Sequence, residues 1–208
     1  MTAAAALQHG LGELALGLPE PAYEQLLAYL ALLQKWNRTY NLTAIRDPVT
    51  MVSHHLLDSL AAVPELPPGA LADVGAGAGL PGIPIAIAEP HRAVTLNDAS
   101  EKKSAFLRQA AIELKLTNVQ VHAGRVECWR PDPAFAVVIC RGFAALADFI
   151  SACRHLISDG GVLAAMKGVF PSEELARLPP GCNCADVRRL RVPLLDAERH
   201  LVLCRLNA

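Results

Sequence analysis

The sequence predicts a doubly wound α/β fold: a mostly parallel sheet with helices on both faces, an antiparallel last strand and an N-terminal helical cap. Three observations carry this expectation. Short apolar runs alternate with stretches of helical periodicity from residue 71 onward, the pattern of a parallel sheet with helical crossovers. A glycine-rich turn stands between the first such run and the first such helix. The last two apolar runs are joined too closely for a helical crossover, so they are expected to lie antiparallel.

Taken in order, Leu7 to Leu16 reads as a short helix, and Pro19 and Pro21 then restart the chain. From Tyr23 to Trp36, Leu26, Leu27, Tyr29, Leu30, Leu32 and Leu33 fall at helical spacing. A polar turn follows, Asn37 to Asp47, and Pro48 starts a helix through His54, His55, Leu56 and Leu60. Pro64, Pro67, Pro68 and Gly69 break the pattern. Strands are expected at Leu71–Val74, Ala93–Asn97, Val119–His122, Phe135–Cys140 and, after a turn at Gly160–Gly161, Val162–Met166. The Phe135–Cys140 run is almost wholly apolar, as in a strand covered on both faces. Helices are expected at Pro81–Ala88, from an N-cap at Ser100 to Leu114, and at Leu146–Leu156. Two tail strands, near Val187–Val192 and Arg199–Leu206, complete the sheet, with Pro193 closing the first. Residues 1–66 are read as the cap and 67–208 as the α/β core of one domain, because the cap is too small to hold its own core.

With 208 residues, of which 52% are hydrophobic, the chain can bury roughly 70% of its unfolded surface without a disulfide or metal staple. The net charge of -1 advertises no nucleic acid globally, so an RNA partner would need a local basic face. The six cysteines form no C-x-x-C pair, and Cys182-Asn183-Cys184 lacks zinc spacing. Cys140 and Cys204 lie in apolar runs and are expected to be buried free thiols, in keeping with a reducing cytoplasm. The first ten residues carry no basic segment and make a poor signal peptide. No run of about 18 apolar residues occurs, so no membrane span is expected.

The strongest local signal runs from Asp73 to Gly82, DVGAGAGLPG. Glycines let the backbone pass close to a ligand, and the following helix N-terminus offers free N–H groups. Asp98 ends the next strand, the ribose-binding position of doubly wound folds. Gly77 to Gly82 spells G-x-G-x-x-G, the dinucleotide pattern, but starts late after a strand that ends at Val74 and contains Pro81. Read from Gly75, the turn is G-x-G-x-G over Gly75, Gly77 and Gly79, and Asp73 faces the pocket from the strand end. A carboxylate there repels a pyrophosphate and suits the ammonium of a methionine moiety, which favours S-adenosylmethionine over NAD.

Several longer stretches then carry a resemblance. They are Lys35 to Asp47 (KWNRTYNLTAIRD), His54 to Ser59 (HHLLDS), Asp73 to Pro84 with its Gly-Leu-Pro-Gly-Ile-Pro ending, Gly124 to Glu127, Arg141 to Ala144, Met166 to Gly168 and Asp196 to Leu201. On these, nearly end to end, the sequence resembles the RsmG (GidB) family, bacterial methyltransferases acting on N7 of a guanosine in 16S ribosomal RNA. The resemblance implies a Rossmann-like class I methyltransferase fold, S-adenosylmethionine as cofactor, and 16S RNA or the small ribosomal subunit as partner. It implies cofactor contacts at Gly75, Leu80, Val126, Glu127 and Arg141. The chain departs from the family pattern at Asn97, where Leu is frequent, at Glu101-Lys102-Lys103, where Gly-Lys-Arg is usual, and at Gly142, where Ala is common.

Guanine N7 already carries a free lone pair, so the reading needs no general base and no metal; positioning and electrostatics suffice. Asn41, Thr43, Arg46 and Lys167 are the candidate substrate contacts, the first three roofing the pocket from the cap and Lys167 meeting a phosphate. Arg141 reads guanine through O6 alone, serves the cofactor or a phosphate, or forms a structural ion pair. One of His54 and His55 is expected to be a core histidine. Asp58 and Ser59 brace their helix, and Arg188, Arg189 and Arg191 form a solvated basic edge. Nothing suggests an obligate oligomer. An NAD-dependent oxidoreductase, a non-catalytic RNA-binding module and a small-molecule methyltransferase are the competing readings.

Overall fold

A computed structural model describes residues 1–143 and 145–206; Ala144 of the Arg141–Ala144 stretch and residues 207–208 lie outside it. Among the described residues there are seven strands: β1 (Leu71–Val74), β2 (Val94–Asp98), β3 (Val119–Ala123), β4 (Phe135–Arg141), β5 (Ile157–Lys167), β6 (Cys182–Arg189) and β7 (His200–Leu206). They lie in one sheet in the order β3-β2-β1-β4-β5-β7-β6. Strands β1 to β5 pair in parallel, with Leu71 opposite Val94 and Val137. Strand β7 runs antiparallel to both β5 and β6, which places His200 opposite Lys167. The start of β7 therefore shares a rim with the ends of the parallel strands, where doubly wound sheets bind ligands.

The cap holds α1 (Ala3–Leu14), α2 (Ala22–Tyr40), and α3 (Pro48–Met51), which continues through a π-helical turn at Val52–Leu57 into α4 (Asp58–Leu60). The core adds α5 (Gly82–Ala88), α6 (Glu101–Glu113), α7 (Leu146–Cys153) and the short α8 (Ser172–Leu175). Local chemistry sets several starts. Thr2 accepts from Ala5 N, Asp47 accepts from Thr50 N at 2.7 Å ahead of Pro48, and Ser100 accepts from Lys103 N, each satisfying a helix-end donor. Pro84 is the third residue of α5, where its missing N–H has no intrahelical partner to lose.

Leu26, Tyr29, Leu30 and Leu33 of α2 are buried at the spacing of one helix face and share a cluster with Leu56, Leu60, Ile83, Leu96, Phe106 and Leu107. Burying each such side chain stabilises the fold by roughly 1.5–3 kcal/mol. The cap and the α5/α6 face of the sheet thus share one cluster. On the opposite face, α7 packs Phe149 and Ile150 against Val74, Val138 and Leu163. Trp36 also packs inward, its ring 5.5 Å from Phe106 and 5.0 Å from Tyr40.

Several expectations are corrected. Helix α1 runs Ala3–Leu14 rather than Leu7–Leu16, and α2 continues past Trp36 to Tyr40. Gly160 and Gly161 lie inside β5 rather than before it. A Cβ on Gly161 would come within 2.9 Å of Ser158 O and 3.1 Å of Phe135 O, so glycine permits a close backbone approach to β4 beside the register shift there. Strand β6 spans Cys182–Arg189 rather than Val187–Val192. Cys204 is buried but not a free thiol: it is disulfide-bonded to Cys184 on the neighbouring strand, whereas Cys140 and Cys153 are free and buried. Arg188 is not merely solvated, since it pairs with Glu65 and Asp186, and Arg191 pairs with Glu13.

Candidate functional site

Strand β1 ends at Val74, so the loop opens at Gly75. Gly75, Gly77 and Gly79 all have left-handed φ, at 66°, 59° and 84°, which only glycine adopts without penalty. Their surroundings differ. A Cβ on Gly75 would meet nothing within 4 Å, and one on Gly77 only Gly75 O at 3.7 Å. A Cβ on Gly79 would strike Ile83 at 2.3 Å and Leu107 at 3.1 Å. The first two glycines thus leave open space beside the backbone, while the third allows the loop to pack on the core. Leu80 is buried in the main cluster and anchors the loop from below. From above, the Tyr29 hydroxyl of α2 donates to Ala78 O at 2.6 Å. Ala76 N donates to Asn97 O at 2.9 Å.

The two acids divide their work. Asp73 does not face a pocket, contrary to expectation. It is fully buried, and its Oδ2 accepts from Gly82 N, the first residue of α5, at 2.8 Å. Its Oδ1 is buried without a hydrogen-bond partner. Burial pushes this carboxyl up to about 7, against which the Gly82 bond and nearby Arg141 pull down only partly. Asp98 is also buried, but at the rim: Oδ2 accepts from Gly77 N at 2.9 Å and Oδ1 from Ser100 N at 2.8 Å. A carboxylate has about four lone-pair directions, so two backbone bonds leave capacity for ribose hydroxyls. Asn97, where the resembled family frequently has Leu, donates to His122 O and Gly124 O and stitches the end of β2 to that of β3.

After β3, Val126 is buried and Glu127 exposed in a single 3-10 turn, Val126–Cys128. The strand ends carrying these residues belong to three adjacent strands, β3-β2-β1. Their open left-handed glycines and rim carboxylate suit the close backbone approach and ribose contact that S-adenosylmethionine requires.

Arg141 ends β4 and turns toward the cap. Its Nη1 donates to His54 O at 2.9 Å and to Asp58 Oδ2 at 3.0 Å. Asp58 Oδ1 in turn accepts from Arg199 Nε at 2.9 Å. Lys167, ending β5, is not an ordinary solvated lysine: its Nζ donates to Glu174 at 2.8 Å, and its side chain is only 13% exposed. Arg141, Arg199, Lys167, His54, His55, Phe143 and Met166 border a cavity of about 430 Å³ between cap and rim.

The polar turn of the cap has local chemistry of its own. Asn41 caps α2 with a left-handed φ of 49° and accepts from Arg46 at 3.3 Å. Asn37 Oδ1 accepts from Thr43 N, and Thr43 Oγ1 lies 2.9 Å from His55 Nε2. Burial, with the positive charge of Arg141 next, lowers His55 to about 4, so the ring is neutral at ordinary pH. His55 is the expected core histidine.

The structure therefore gathers Gly75, Gly77 and Asp98 at the rim, with Val126 and Glu127 on the adjoining strand end. It sets Gly79, Leu80 and Asp73 beneath the loop. Arg141 and Lys167 border the cavity, while Asn41, Thr43 and Arg46 stand in the cap turn above the buried His55. Sequence reasoning missed Arg199, Tyr29, Glu174 and the role of Asp58. Arg199 had two available signals: it lies in the Asp196–Leu201 stretch that carries the resemblance, and it immediately precedes an antiparallel last strand, which must begin on the rim where the parallel strands end. Tyr29 was masked by its helical spacing, which reads as core alone.

The comparisons agree with this geometry. Residues 22–202 match the family described as GidB, rRNA small subunit methyltransferase G. The ribosomal RNA small subunit methyltransferase G of Chromobacterium violaceum is 54% identical over 199 residues, covering 95% of each chain. Among solved structures, a predicted O-methyltransferase from Agrobacterium tumefaciens aligns with a TM-score of 0.59 at 23% identity, over 74% of this chain and 81% of that one. A S-adenosylmethionine-dependent methyltransferase from Thiobacillus denitrificans, in complex with S-adenosyl-L-homocysteine, aligns with a TM-score of 0.52 at 13% identity, over 85% and 97%. These two show the fold, and the family match and the close relative show that the chain belongs to the rRNA small subunit methyltransferase G family.

Proposed function

We propose that this protein transfers the methyl group of S-adenosylmethionine to N7 of a guanosine in 16S ribosomal RNA. It acts as a cytoplasmic monomer in which cap residues 1–66 and core residues 67–208 work as one domain. The carrying observation is the rim itself: two open left-handed glycines, Gly75 and Gly77, lie beside a buried carboxylate, Asp98. Among the described residues, no helix is long and apolar enough to cross a membrane.

S-adenosylmethionine supplies a methyl group on a positively charged sulfur, open to in-line displacement. The chain's task is to bind, orient and exclude water. Gly75 and Gly77 let the ligand touch the backbone, and Asp98 receives the ribose hydroxyls. Val126 walls the cofactor, with Glu127 beside the adenine, and Leu80 supports the cofactor from beneath the loop. Asp73 braces the loop through Gly82 and does not touch the ligand. Guanine N7 needs no deprotonation, so neither His54, His55 nor Asp58 serves as a base. That suits a His55 held neutral against Thr43 and an Asp58 committed to two arginines. Asn41, Thr43 and Arg46 roof the acceptor; Arg141, expected at the cofactor or at a phosphate, serves a phosphate of the acceptor, and Lys167 meets the acceptor backbone from its pair with Glu174.

The test is label transfer from S-adenosylmethionine to small subunits, and separately to naked 16S RNA, from a strain lacking this gene. Label in the RNA, lost in Gly75→Asp, is expected. No label on any RNA form, in a protein that binds the cofactor by calorimetry, would overturn the ribosomal assignment.

A further inference from the structure

We propose that Asp58 is a positioning residue: from the cap helix it holds Arg141 and Arg199 side by side at the cavity so that both guanidiniums meet one phosphate of the RNA acceptor. The inference rests on the function proposed above.

Each carboxylate oxygen of Asp58 has its own guanidinium, Oδ2 with Arg141 at 3.0 Å and Oδ1 with Arg199 at 2.9 Å. The three residues come from α4, the end of β4 and the approach to β7, so the contact joins cap to rim. The Asp58 side chain is 3% exposed, and the arginine side chains are 22% and 21% exposed. RNA therefore cannot reach Asp58 but can reach both arginines. One carboxylate against two guanidiniums leaves one positive charge uncompensated. The third cation of the cavity, Lys167, is already matched by Glu174. Among the described residues, Arg141 Nη2 and Arg199 Nη2 have no protein acceptor. Two fixed forks with a surplus charge and free N–H groups suit a phosphate, which accepts several charge-assisted bonds at once. The π-helical turn ahead of Asp58 contributes as well: its His54 carbonyl takes the second bond from Arg141 Nη1, and such turns recur at functional sites.

A merely structural triad predicts something different, namely lower stability with unchanged RNA recognition. Asp58→Asn keeps the volume and removes the charge. In steady-state transfer to small subunits, the KM for the subunit should rise about tenfold while kcat changes much less. The slope of log KM against log salt should depart from the wild-type value, because the two guanidiniums no longer share one carboxylate. Cofactor affinity by calorimetry should stay at the wild-type value. Asp58→Glu should recover part of the KM, and it carries the salt measurement should Asp58→Asn fail to fold. Wild-type KM and salt slope in Asp58→Asn, or equal loss of cofactor affinity and KM, would overturn the inference while leaving the proposed function standing. A wild-type protein that labels no RNA would overturn both.

Discussion

Gly75 and Gly79 share a left-handed backbone but not a neighbourhood, and the difference decides what a methyl group does at each. At Gly75 the added Cβ meets open space, so Gly75→Ala should cost only about 1–2 kcal/mol of backbone strain. In the proposed site the same methyl would stand where the cofactor approaches, and calorimetric affinity should fall about tenfold or more. At Gly79 the methyl collides with Ile83 and Leu107, so Gly79→Ala should lose about 2–5 kcal/mol in urea denaturation. A Gly75→Ala protein with intact cofactor affinity would detach that glycine from the site. The glycines were legible in the sequence because their chemistry is local. The placement of Asp73 was not, because strand position alone does not say which way the end of β1 turns its carboxylate. Gly82 holds that answer: its Cβ would come within 2.7 Å of Asp73 Oδ2, so the absent side chain makes room for the buried acid.

Helix α2 shows how an element can serve two purposes. Its apolar stripe was legible from spacing, but its last turn was not, since Asn37 and Thr39 read as loop formers. Asn37 is in fact buried and spends its side chain on Thr43 N, anchoring the turn that follows. On the same helix, Tyr29 sits among leucines yet places its hydroxyl on Ala78 O. Burial raises the Tyr29 phenol, which stays protonated and able to donate. Tyr29→Phe leaves the Ala78 carbonyl buried without that partner. It should cost about 1–3 kcal/mol of stability and weaken cofactor binding severalfold, read by calorimetry in the absence of RNA. Unchanged affinity would mean that the cap does not help shape the cofactor loop. The strands carry the opposite lesson. Strand β1 was legible to the residue because an apolar run meets a glycine, whereas β5 was cut short because a glycine pair inside it imitates a turn. Pairing of Cys184 with Cys204 depends on the register of β6 against β7, which no local pattern encodes.

For the molecule as a whole, two buried groups pull stability in opposite directions with pH. Asp73 rises from 3.8 to about 7 in the fold, so the stability it contributes is fully present in acid and is lost as pH rises toward neutrality. His55 falls from 6.5 to about 4, so its contribution is present at neutral pH and lost as pH falls toward 4. Each is worth on the order of 3–4 kcal/mol across its window, and together they largely cancel between about pH 4.5 and 6.5. Urea midpoints should expose the hidden slopes: in Asp73→Asn stability should climb with pH, and in His55→Gln it should decline. Parallel profiles in the two variants would contradict this balance. The fold class was legible at this scale because alternation of runs survives errors at element ends. The cavity was not, because Asp58, Arg141 and Arg199 meet only once cap and rim are folded together.

Methyl transfer by this protein is proposed to need no general base, because the acceptor atom already bears a lone pair. Mapping the modified atom decides this. Labelled small-subunit RNA should be digested to nucleosides and, in parallel, probed by strand scission at N7-methylguanosine. One labelled guanosine, modified at N7, is expected, with transfer retained in His55→Gln. Label on a ribose hydroxyl or an exocyclic amine, or transfer abolished in a well-folded His55→Gln, would contradict it.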